Sequence, residues 1–151
     1  WVEKAYAGAL AGATVAWVAA GSAHGWTMGL QWIESPKSHV AEAGWSTLAS
    51  LVALQDDADL DLPKIKRLIE RVQKTIHEAP DVVRYSMNGF IIAAGSYVKP
   101  LTEFALQAGE NIGPVTANLG HNQCQIPFAP DRIRAVQKSG ALGKKRKTVK
   151  C

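Results

Sequence analysis

Eight lysines and arginines stand among the last 20 residues, Arg132, Arg134, Lys138, Lys144, Lys145, Arg146, Lys147 and Lys150, with no acid between them. This end carries +8 and the first 131 residues carry −4, a division that the overall +4 hides. A single-sign run this dense has the chemistry of polyanion binding, because each neutralised phosphate releases condensed counterions. Lys144, Lys145, Arg146 and Lys147 form its centre and are the candidate phosphate contacts. The same run equally suits a solvated tail. Folding back onto the acidic cluster Asp56, Asp57, Asp59 and Asp61 is a third arrangement, and charge alone does not separate the three.

Four tryptophans, Trp17, Trp26, Trp32 and Trp45, fall within 29 positions. Aromatic faces of this kind stack on bases, each contact being worth ~1–3 kcal/mol. They equally fill space beside small side chains, since tryptophan is highly buried on average. The balance favours core for Trp17 and Trp32. It leaves Trp26, beside His24 and Gly25, and Trp45, beside Gly44, as candidate nucleic-acid contacts. Arg84 and Asn88 share one helical face at i and i+4 and can present a cation and an amide to a phosphate. Capping neighbouring helix ends is the competing and favoured role. His121 and Cys124 have the spacing of half a metal site, but a structural zinc takes four ligands and the chain offers no second half. Neither a metal nor a cofactor is expected.

Positioning these groups falls to helices. Asp61-Leu62-Pro63 is a start signal, with a capping Asp and a proline tolerated in the first turn. Beyond it Ile65, Leu68, Ile69, Val72 and Ile76 repeat along one stripe. Ser38–Leu54, Asp81–Gly95, Lys99–Ile112 and Pro130–Ser139 read as further helices. In Asp81–Gly95 the buried set is Val83, Met87, Phe90, Ile91 and Ala94. Residues 113–127 alone look extended, with Val115, Ala117 and Leu119 alternating. Ala5–Ile33 lacks Asp, Glu, Lys and Arg, yet it is not a membrane span: 14 of the 21 residues from Ala5 to Gly25 are Ala, Gly or Ser, and a span needs ~20 strongly apolar residues. Two cysteines make no disulfide framework and fit a reducing cytoplasm.

An internal echo orders the helices. Glu34-Ser35-Pro36 returns as Glu78-Ala79-Pro80 after 44 residues, and Gly44-Trp45 returns as Gly89-Phe90 after 45. Helix pairs repeating at ~40–47 residues mark HEAT-type solenoids. The expectation is an all-α HEAT-like superhelix over residues 1–139, followed by a basic tail at 140–151.

The blocks Thr14–Ala20, His24–Trp26, Trp32–Ser35, Ala43–Trp45, Val83–Phe90, Gly95–Val98 and Gly143–Thr148 resemble a branch of the bacterial DNA alkylation repair family, HEAT-like-repeat proteins related to alkylpurine DNA glycosylases. The resemblance implies DNA as partner and the C-terminal part of a longer solenoid. It also implies recognition or excision of N3- or N7-alkylated purines, helped by tryptophans, an acid and an arginine. The alignment puts Ala16 where the acid is expected and the 41–44 stretch, Ala-Glu-Ala-Gly, where the arginine is expected. Fold and DNA association are thus better supported than catalysis. The alternative is a non-catalytic module for DNA, RNA or an acidic protein.

Overall fold

The structure is a computed structural model and describes residues 2–4, 10–120 and 126–149. Among them the chain forms seven α-helices, a π-helical turn and several 3₁₀ turns, with no β-strand. The π-helical turn Leu10–Val15 leads into α1 (Ala16–Ala20). Three helix pairs follow: α2 (Gly25–Trp32) with α3 (Ser38–Leu54), α4 (Leu62–Thr75) with α5 (Asp81–Tyr97), and α6 (Thr102–Ile112) with α7 (Ala129–Lys138). α5 packs on both α3 and α7, while α4 packs on α6. The second helices of the pairs therefore form one layer, and α4 and α6 lie together in the other. This is the stacking of helix pairs that the sequence echo predicts.

Local signals explain the helix ends. The Asp61 carboxylate accepts the Lys64 backbone N–H at 2.9 Å, which satisfies one orphan donor of α4 and holds that carboxyl below its usual range. The α4 stripe Ile65, Leu68, Ile69 and Val72, continued by Ile76 just past the helix end, is wholly buried, as is the α5 set Val83, Met87, Phe90, Ile91 and Ala94. Gly113, at φ 72°, ends α6 in a conformation that favours glycine.

The repeated corners meet in space. Residues of both, including Ser35, Pro36, Glu78 and Pro80, line one cleft, and the echoed aromatics Trp45 and Phe90 pack with ring centroids 5.4 Å apart. Arg71 of α4 locks the first corner by a bidentate hold on Glu34, which lowers the Glu34 pKa, and its guanidinium lies 5.9 Å from the Trp45 ring centroid. The echoed glycines serve different ends. A Cβ on Gly44 would stand 2.7 Å from the Ile33 backbone nitrogen, so Gly44 permits α2 to touch α3, whereas a Cβ on Gly89 would meet nothing within 4 Å.

The alanine-rich N-terminal region has its own small core. Ala11, Val15 and Ala19 lie against Trp32, Val40 and Ala43, so Trp32 supplies volume that the alanines lack. Trp17 is half-buried in α1. Glu42 enters from α3 on the same side and is only 9% exposed. Its Oε1 would stand 2.5 Å from a Cβ on Gly12 of the π-helical turn. Burial raises its pKa to about 7.

The segment after α6 forms no regular element among the described residues. Val115 is buried while Pro114, Thr116 and Asn118 are exposed, which realises the alternation without a strand ladder. His121 and Cys124 lie outside the described residues, as do Lys150 and Cys151. No helix among the described residues is long and apolar enough to cross a membrane.

Residues 141–149 depart from the solvated-tail arrangement and run as a strap over the ends of α3 and α5. The Gly143 N–H donates to the Ser96 carbonyl at 2.9 Å and the Arg146 N–H to the Ala53 carbonyl at 2.8 Å. The Lys145 ammonium donates to the Val52 carbonyl at 2.9 Å and pairs with Asp57 at 2.8 Å. Val149 packs against the main core. The last carbonyls of a helix have no donors within the helix, and their negative end favours cations, so a basic strap is what these ends require. Because the Lys145 side chain is only 14% exposed, solvent screens the pair weakly. Lys145→Ala is expected to cost about 1.5–3 kcal/mol, the scale of a lost charged hydrogen bond. Urea unfolding of parent and variant measures it, and a change below a few tenths would mean that the strap is not held there.

Candidate nucleic-acid interface

A cleft of about 310 Å³ opens across α3, α5 and α7. Its floor is small, with Ser46 and Ala49 from α3 and Gly89, Ala93 and Ser96 from α5. Tyr85, 45% exposed, stands on α5, and Arg132 and Val136 of α7 line the cleft with it. The strap adds Arg146, whose Nε donates to the Tyr97 hydroxyl at 2.9 Å and whose guanidinium lies 5.2 Å from the Tyr97 ring centroid. The cleft thus combines two cations, two phenol rings and a backbone-close floor. At its base the Ser96 side chain is 2% exposed, and its Oγ has no hydrogen-bond partner among the described residues.

The candidates named from sequence divide. Asn88 and Arg146 line this cleft. Asn88 is buried and its amide donates to the Pro127 carbonyl at 3.0 Å, so it anchors the chain entering α7. Arg84 lies at the other end of the segment between α6 and α7, donating to the carbonyls of Thr116 at 2.6 Å, Ala79 at 2.9 Å and His77 at 3.2 Å. Asp81 stands 3.6 Å away as its ion-pair partner. Both residues tie the segment between α6 and α7 to α5, and their donors are engaged there by backbone carbonyls.

Trp45 is 2% exposed within the core, so its ring faces are covered by protein and a base cannot stack on it. Trp26 is half-buried on α2 with its indole N–H donated to the Gln55 side-chain oxygen at 2.7 Å, away from the cleft. Of the four central strap cations, Lys145 is spent on Asp57 and Val52, while Lys144 and Lys147 are exposed. Arg132, Lys138, Lys144 and Lys147 have no ion-pair partner among the described residues.

Sequence reasoning placed Asn88 on the second face of α5 but missed the other residues that share it. Tyr85, Asn88, Gly89, Ile92 and Ser96 recur at i, i+3, i+4, i+7 and i+11, a second stripe opposite the apolar one. That spacing was the available signal. Among the described residues no group of three or more His, Cys, Asp or Glu is placed to hold a metal.

The layered helix pairs define a HEAT-like helical-repeat protein. Over its whole length the chain is similar to a solved structure described as "A new family of proteins related to the HEAT-like repeat DNA glycosylases with affinity for branched DNA structures", at 28% identity and a TM-score of 0.92. It covers 64% of that structure. It is also 33% identical over 109 residues to an uncharacterised protein of Listeria innocua, and 33% identical over 108 residues to one of Listeria monocytogenes. Each match covers 72% of this chain and 44% of the relative, so the chain spans under half the length of these Listeria proteins. No protein-family model matches.

Proposed function

We propose that this chain is a DNA-binding HEAT-like module whose α3/α5/α7 layer and strap engage the backbone of branched or otherwise distorted DNA. The observation that carries the reading is the group of cations on α7 and the strap that have no ion-pair partner among the described residues, Arg132, Lys138, Lys144 and Lys147, with Arg132 at a cleft bearing Tyr85 and Arg146. The whole-length similarity to a protein with affinity for branched DNA supports the choice of DNA over RNA or an acidic protein. Phosphate contacts by such residues position the protein and carry no sequence information.

Membership of the alkylation repair branch belongs to the same reading, supported by the sequence blocks quoted above. Excision of alkylpurines has weaker support. Ala16, at the position of the expected acid, is fully buried, and the buried carboxylate near that helix, Glu42, packs on Gly12 with a raised pKa. A carboxylate that is half protonated at neutral pH is a poor stabiliser of a cationic sugar.

The test is affinity for a three-way junction and a linear duplex across a range of salt, for the parent and an Arg132/Lys144/Lys147 triple alanine variant. The junction is expected to bind more tightly. The three substitutions should flatten the log–log salt slope by about 2.7, from ~0.9 per phosphate contact. An unchanged slope, with the variant folded, would assign the basic strap to the protein's own architecture and retire the DNA reading of these residues.

A further inference from the structure

We infer that the α3/α5/α7 cleft is a pocket for one unpaired nucleotide, the base entering above Gly89 and its phosphate lying between Arg132 and Arg146. This deepens the DNA reading and rests on it. At about 310 Å³ the cleft sits at the small end of ligand pockets, ~300–1,000 Å³, large enough for a base and closed to a duplex. Its floor lets a planar group approach the backbone of α5, since a Cβ on Gly89 would meet nothing within 4 Å. Tyr85, 45% exposed on a soluble surface, offers a ring face on which any base can stack.

A second observation independent of the small floor points to an occupant. Ser96 lines the cleft, is 2% exposed, and its Oγ lacks a partner among the described residues. A buried hydroxyl without a partner is costly, and native structures satisfy nearly all such groups. A nucleotide supplies the missing acceptor or donor from its base edge or sugar. Cations at the cleft set the charge of that occupant. Branched DNA is where unpaired, unstacked nucleotides occur, so the pocket accounts for a preference that phosphate contacts alone do not create.

Two variants test this and leave Arg132, Lys138, Lys144, Arg146 and Lys147 in place. Gly89→Leu fills the cleft and removes a helix-interior glycine, so thermal stability should hold or rise. Ser96→Ala deletes a hydroxyl that bonds to no described group, so the fold should not suffer. The probes are a duplex carrying one unpaired 2-aminopurine nucleotide and the same duplex fully paired. Gly89→Leu is expected to weaken binding of the first by about ten-fold or more, the scale of one lost stacking contact, and to abolish the protein-induced change in 2-aminopurine fluorescence. Ser96→Ala should weaken it several-fold, and neither should alter the paired duplex beyond about two-fold. If both folded variants keep the preference for the unpaired probe, the pocket inference is wrong while the DNA reading stands. A parent protein that binds both probes equally also overturns it. Failure of the parent to bind either probe removes the DNA reading and this inference with it.

Discussion

Trp45→Ala is expected to lose about 3–5 kcal/mol of folding stability, the usual cost of emptying a large aromatic site in a core. The ring is 2% exposed, packs at a tilt of 58° against Phe90 and lies under the Arg71 guanidinium, so its removal opens the contact between the two repeats at its centre. The surroundings have little freedom to collapse, because Gly44 beside it already holds α2 against α3 with Ile33 in contact. A stacking role on DNA makes the opposite forecast, in which stability is kept and affinity falls. Chemical denaturation followed by circular dichroism, with DNA binding measured under conditions where the variant remains folded, separates the two. A stable variant with weakened DNA binding would return Trp45 to the interface.

The second large effect concerns pH. Glu42 has an ordinary carboxylate pKa near 4.5 when exposed and about 7 in the fold, where desolvation disfavours its charged form. The folded state therefore holds this proton more tightly than the unfolded state. Its contribution is most favourable below pH 4.5, declines as pH rises from there to 7, and is at its least favourable above 7. A shift of this size corresponds to about 3 kcal/mol at most. Stability is expected to be greater near pH 5.5 than near pH 8, and Glu42→Gln to remove that difference while raising stability at pH 8. Every other ionisable group is common to the two proteins, so the difference between their pH profiles isolates Glu42. Profiles that run parallel would mean that the carboxylate reaches water in the folded state.

Much of the helical framework was legible in the residues because its signals are local. α3 spans Ser38–Leu54 as the sequence predicts, and Asp61 caps α4 through the contact that its type and position imply. The pairing of Trp45 with Phe90 was foreshadowed by the echoed Gly-aromatic dipeptides, although only one of the two glycines proved to be a packing requirement. The π-helical turn at Leu10–Val15 was not legible, since alanine content speaks for helix without specifying its hydrogen-bond register.

The candidate site was legible only in part, and the reason is distance along the chain. Whether Lys145 is free depends on Asp57 and Val52, and whether Asn88 is free depends on Pro127. A count of charges sees none of these encounters. The second stripe of α5 was present in the sequence, but the periodicity does not reveal that α7 leaves it open while the core covers the first. Trp26 and Trp45 were singled out for being aromatic beside glycine, and those glycines, Gly25 and Gly44, are sites of close helix approach.

The strap has a consequence for how the molecule comes apart. In an ordinary array of helix pairs each unit touches only its neighbours, so the array can fray from either end and its cooperativity is limited. Here Lys145 reaches Val52 across 93 residues of chain, joining the final segment to the first full pair over the end of the second. Such a clasp raises the contact order, which slows folding because a long loop must close before its contacts form. In return, releasing either end strips support from the other, and a linear stack acquires the all-or-none unfolding of a closed body.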